Sequence, residues 1–138
     1  MKYRLLGDTG LFVSEVSCGG IPIQKLKEED AIKLVDALVL KGVNFIDTAR
    51  GYTNSEELFG KALKGRRDKF YIATKSMART YEKIKKDIEI SLSNLQTNYI
   101  DLYQMHNVKN YEDVSGALRA LKEAKIEGKV KHIGITSH

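Results

Sequence analysis

From residue 16 onward, short apolar runs alternate with amphipathic segments at a repeat of roughly 30 residues, the size of one strand–helix unit. Val16-Ser17-Cys18-Gly19-Gly20 reads as a short strand, followed by strands over 43–46, 70–74, 99–105 and 131–136. Helices are expected between them, over 28–41, 55–64, 80–95 and from 114 to near 128. Ile32, Val35, Leu38 and Val39 form the stripe of the first helix, and Gly42 stops it. Leu58, Phe59, Ala62 and Leu63 serve the second, closed by Gly65. Ile84, Ile88, Leu92 and Leu95 serve the third, with Thr80 placed to cap it. Val114, Leu118 and Leu121 mark the fourth. Such alternation demands an α/β fold, a parallel sheet with helices packed on it. An arc with strands paired in sequence order and a doubly wound sheet whose order reverses both satisfy the pattern.

Ahead of the repeat, Leu5 to Val13 reads as a hairpin around the turn Gly7-Asp8-Thr9-Gly10. The only proline is Pro22, and no Pro- or Ser-rich linker divides the chain. Residues 1–138 are therefore read as a single domain, long enough to bury a real core. No apolar run approaches the ~20 residues of a membrane span, and the first residues lack the apolar stretch of a signal peptide. The single cysteine, Cys18, excludes an internal disulfide and an all-cysteine metal site. These features predict a cytoplasmic protein without membrane partners. The net charge of +5 is only moderately basic, and the lysines scatter over the expected helices. That distribution describes solvated faces rather than a nucleic-acid stripe.

Three consecutive strands end in a polar residue: Asp47, Lys75 and His106. Tyr52 follows Asp47 in a glycine-containing loop, and Ser55-Glu56-Glu57 then announces a helix, through a capping hydroxyl and acids suited to its positive end. In parallel α/β proteins chemistry gathers at the C-terminal ends of strands. Singly, each residue has an ordinary structural explanation: a turn aspartate, a surface tyrosine, a snorkelling lysine, a loop histidine. Together, on neighbouring strands about 5 Å apart, they compose a site. A phenol is a poor acid near neutrality, but an adjacent ammonium favours its phenolate form. Asp47 can hold Lys75 charged and oriented, and His106 can hydrogen-bond a carbonyl oxygen. The set suits giving a proton to an oxygen that is becoming an alkoxide, as hydride delivery to a ketone or aldehyde requires. No metal cluster is evident to do the polarisation instead. Gly19 and Gly20 permit a tight turn or close backbone approach to a ligand.

These residues lie within longer matching segments. Phe45-Ile46-Asp47-Thr48-Ala49 followed by Gly51-Tyr52, then Ala73-Thr74-Lys75-Ser76, come in order along the chain. Tyr99-Ile100-Asp101-Leu102-Tyr103-Gln104-Met105-His106 and Gly128-Lys129-Val130-Lys131-His132-Ile133-Gly134-Ile135 complete the set. In these segments the chain resembles the N-terminal part of an aldo-keto reductase. The resemblance implies that Asp47, Tyr52, Lys75 and His106 are the family's catalytic tetrad, with Tyr52 as general acid. It implies a (β/α)8 TIM barrel and NAD(P)H-dependent reduction of a small carbonyl substrate, usually with NADPH, NAD not being excluded. Gly20, Asp47 and Ser137 are the implied cofactor contacts, Ser137 at the position that bonds the nicotinamide carboxamide. His138 stands where an asparagine usually follows. The Cys18-Gly19-Gly20-Ile21-Pro22-Ile23 and Thr48-Ala49-Arg50-Gly51-Tyr52 segments are similar to a bacterial and archaeal branch that often carries a C-terminal iron–sulfur segment, which these residues do not include.

A complete (β/α)8 barrel needs about 250 residues. The expectation is thus an incomplete, truncated barrel: the hairpin, five parallel strands and four helices. The strands beyond residue 138 would hold most of the family's contacts to the cofactor's pyrophosphate and adenosine. The 138 residues alone are accordingly expected to be weak or inactive, and to self-associate through open barrel edges. A non-catalytic, barrel-derived cofactor-binding or regulatory subunit is the alternative function.

Overall fold

The computed structural model of the protein describes residues 1–137. β1 (Tyr3–Leu5) and β2 (Phe12–Ser14) form the expected antiparallel hairpin. Its turn places Gly7 and Gly10 at positive φ, and Thr9 bonds the Leu6 carbonyl.

The repeat then follows as β3 (Cys18–Gly19), α1 (Glu28–Lys41), β4 (Phe45–Asp47), α2 (Ser55–Ala62) and β5 (Tyr71–Ser76). It continues through α3 (Tyr81–Asn94), β6 (Ile100–Met105), α4 (Ser115–Ile126) and β7 (Val130–Ile135). The five strands from β3 to β7 form one parallel sheet in unbroken sequence order. The order never reverses, which rules out the doubly wound alternative.

The core lies between sheet and helices. Ile46, Ile72 and Tyr103 of the strands are buried with Val35 of α1, Phe59 of α2, Ile84 and Ile88 of α3, and Leu121 of α4. The stripes expected of α1, α2 and α3 thus face the core, whereas on α4 Leu121 is joined there by Ala117, Ala120 and Ala124 rather than by Leu118. Gly42 ends α1 in the left-handed conformation, φ 73°, where glycine is least strained. Gly60 answers a different demand. A Cβ there would lie 2.1 Å from the Asn94 carbonyl oxygen, so only glycine lets α2 lie against the last turn of α3.

Two helix starts differ from the expectation. Asn54, not Ser55, is the N-cap of α2, and the Ser55 hydroxyl turns inward. It pairs with the Thr48 hydroxyl at 2.8 Å and donates to the Gly20 carbonyl at 3.0 Å. Thr80 does occupy the N-cap of α3, but its side chain makes no capping bond. No helix among the described residues is long and apolar enough to cross a membrane.

Candidate active site

Asp47 closes β4 and Lys75 lies near the end of β5, on strands paired in register Asp47 to Ala73. Side chains alternate along a strand, so Lys75 faces the inside of the arc while Thr74 and Ser76 face the helices. The Lys75 residue is only 4% exposed. Its ammonium donates to Asp47 Oδ2 at 2.7 Å and to the Thr48 carbonyl at 2.9 Å. A buried ammonium needs such partners, and the Asp47 side chain, 39% exposed, supplies the charge while keeping an edge open to the mouth.

The backbone carries Tyr52 over this pair. Thr48 N–H bonds the Ala73 carbonyl, and Arg50 N–H bonds the Lys75 carbonyl, extending the ladder beyond β4. The chain then tightens: Tyr52 N–H reaches Ala49 O and Ser55 N–H reaches Tyr52 O. Half-buried Tyr52 is thereby set with its ring centroid 5.1 Å from Lys75 Nζ, within cation–π range. His106 directly follows β6, held by its N–H to the Ser76 carbonyl. Its ring meets Tyr52 edge to face, centroids 6.0 Å apart at 86°. Arg79, from the turn before α3, donates to the carbonyls of His106 and Asn107 and pairs with Glu112. The four residues singled out in the sequence therefore converge at the C-terminal mouth of the sheet.

Residues 16–138 match the sequence model of the Aldo/keto reductase family. The chain belongs to the aldo/keto reductase family. It is 35% identical to L-galactose dehydrogenase of Arabidopsis thaliana, over 99% of this chain and 48% of that protein. It is 32% identical to the uncharacterized oxidoreductase YqkF of Bacillus subtilis, over 99% of this chain and 49% of that one. Among solved structures, the holo form of aldo-keto reductase AKR11C1 from Bacillus halodurans superposes with a TM-score of 0.92 at 36% identity. That match covers 99% of this chain and 50% of the other. This aldo-keto reductase chain thus spans about half the length of the relatives it matches, and its fold is the first part of an incomplete (β/α)8 barrel.

The other residues expected to meet a cofactor lie as follows. Gly20 is buried, its N–H on the Asp47 carbonyl. A Cβ at Gly20 would lie 2.6 Å from the Thr48 hydroxyl and 2.7 Å from that of Ser55, so close packing alone already requires glycine there. Ser137 is exposed just beyond β7 and donates to the Val108 carbonyl at 2.9 Å. His138 lies outside the described residues. Among the described residues, no group of three or more His, Cys, Asp and Glu side chains could hold a metal ion.

Sequence reasoning missed one feature of the site. Glu56 does lie in the first turn of α2, at its positive end, and it is also 1% exposed. It accepts bonds from Arg50, Thr74, Ser91 and Asn94. The available signal was its neighbour pattern: an arginine six residues earlier, in the loop that bears the tyrosine.

Proposed function

We propose that the protein reduces an aldehyde or ketone to an alcohol with NAD(P)H, Tyr52 giving the proton. The observation that carries this reading is the convergence of the Lys75–Asp47 pair, the Tyr52 ring and the His106 ring at one mouth. A bound nicotinamide would supply the hydride. The chain's own residues handle the oxygen. His106 orients the carbonyl, and the Tyr52 hydroxyl donates as negative charge develops on that oxygen. The Lys75 ammonium stabilises the charge left on the phenol oxygen, and Asp47 keeps that ammonium in place. The residues at the mouth also suit a carboxamide and a ribose, which need hydroxyl and carboxylate partners such as exposed Ser137 and the open edge of Asp47. NADPH is the proposed form, by resemblance to the family. A cytoplasmic setting fits both the single cysteine and that cofactor.

The test is Tyr52→Phe in the protein expressed from its full reading frame. Removing only the proton donor should lower kcat by roughly 10²-fold or more and leave nicotinamide fluorescence titration unchanged. Near-normal turnover would remove Tyr52 from the role of acid. Cofactor binding with no turnover in the unmodified protein would favour the non-catalytic reading. Assays with NADH beside NADPH settle the cofactor.

A further inference from the structure

We infer that the Arg50–Glu56 pair behind β5, whose carboxylate is buried, is the device that positions Lys75 and the Tyr52 loop for catalysis, an inference that rests on the function proposed above. β5 carries Thr74, Lys75 and Ser76 in succession, and alternation sends the two hydroxyls to the face opposite the lysine. Both are held there. Thr74 Oγ1 donates to Glu56 Oε1 at 2.7 Å, and Ser76 Oγ donates to Asp87 Oδ2 of α3. The lysine is thus flanked on its own strand by two anchored neighbours.

Glu56 is the hub. Its Oε1 also accepts from Ser91 at 2.8 Å, and its Oε2 accepts from Arg50 at 2.9 Å and Asn94 at 3.2 Å. Arg50 in turn sits between the two acids, its Nε 3.8 Å from Asp87 Oδ1. Arg50 belongs to the loop joining Asp47 to Tyr52, and its own N–H bonds the Lys75 carbonyl at 2.9 Å. Arg50 thereby ties the tyrosine's loop to the lysine's strand through its backbone N–H, and to α2 and α3 through its guanidinium. The buried Tyr103 hydroxyl borders the same layer, and burial pushes its ionisation upward, so it adds no charge.

Stability does not explain this arrangement. Burying a carboxylate is costly, and well-packed apolar residues commonly serve a helix–sheet interface as well or better. A fixed geometry does explain it, because displacements of an ångström at a reacting centre cost large factors in rate.

The experiment uses the protein from its full reading frame, with Thr74→Val, Ser76→Ala and Glu56→Gln. Asp36→Asn, which breaks the surface Arg66–Asp36 pair, serves as control. A lysine with two acceptors and almost no exposure should give a slowly exchanging ammonium signal in proton–nitrogen NMR, assigned by its loss in Lys75→Met. Thr74→Val and Glu56→Gln should broaden or shift that signal and lower kcat about tenfold, with KM changed by less than about twofold. The control should keep both. If Glu56→Gln does not fold, Thr74→Val decides. If the unmodified protein reduces no carbonyl, the ammonium signal decides alone, and the failure belongs to the proposed activity. A lower melting temperature with the Lys75 signal and kcat unmoved would overturn the inference and leave the network a purely structural role.

Discussion

Lys75 Nζ stands 2.7 Å from Asp47 Oδ2, linking the ends of two adjacent parallel strands across the inner face of the arc. The partners differ in environment: the lysine side chain is 5% exposed and the aspartate 39%. Breaking the pair from the aspartate side therefore strands a buried cation with only the Thr48 carbonyl. Asp47→Ala should destabilise the protein by about 1–3 kcal/mol, less than for a fully buried pair because Asp47 is partly solvated. Adding Lys75→Met to Asp47→Ala should recover most of that loss, since no charge is left unpaired. Denaturant midpoints of Asp47→Ala, Lys75→Met and the double variant complete the cycle, and a double variant no more stable than Asp47→Ala would contradict it.

A second prediction concerns acid. The Lys109 backbone N–H, then the Arg79 guanidinium, hold the Glu112 carboxyl below the usual glutamate range. A carboxylate with a depressed folded-state pKa contributes stability above its unfolded pKa, about 4.3, and loses it as pH falls through the folded value. Arg79 also grips the His106 carbonyl, so the same acidification loosens the loop that carries the histidine. Glu112→Gln should therefore be less stable than the unmodified protein at neutral pH, and the gap should close below about pH 4. Urea unfolding across pH 3–7 reads the gap directly; a gap independent of pH would refute the assignment.

The strand–helix repeat, the three polar strand ends and the loop tyrosine after the first of them were legible in the sequence because each is a local pattern. Periodicity marks the buried face of a helix, and a polar residue ending an apolar run marks a strand end. The polar layer around Glu56 was not legible. Its donors Arg50, Thr74, Ser91 and Asn94 come from a loop, a strand and a helix spread over 45 residues, and only packing brings them together. Ser55 misled for a related reason. A serine near a helix start ordinarily caps it, but here the crowded space between Gly20 and Thr48 claims the hydroxyl. Gly20 shows that one residue can satisfy two readings, since packing demands a glycine whether or not a cofactor passes nearby.

The sheet has two open edges. Among the described residues, β3 pairs only with β4, and β7 pairs only with β6. Ile135 on β7 is 57% exposed and Ile126 at the end of α4 is 86% exposed. Unpaired strand edges beside apolar surface invite association. Expressed as these 138 residues alone, the chain should form dimers or larger assemblies that cover both edges. A stable monomer by light scattering at micromolar concentration would count directly against this.

The last prediction separates the tetrad from the cofactor. Hydride transfer needs the nicotinamide carbon held about 3–3.5 Å from the carbonyl carbon. In the proposed reaction the four residues orient the carbonyl oxygen, but affinity for a dinucleotide rests chiefly on charge-assisted bonds to its phosphates. By resemblance to the family, most of those bonds come from strands and loops that these 138 residues do not include. Association of two copies does not supply them, because it brings a second set of the same five strands. The 138-residue chain should therefore bind NADPH weakly and reduce nitrobenzaldehyde negligibly, although Lys75, Asp47, Tyr52 and His106 are assembled. NADPH consumption should match that of the Tyr52→Phe chain. Robust turnover that disappears in Tyr52→Phe would instead establish a working half-barrel, with the cofactor held by residues on these five strands.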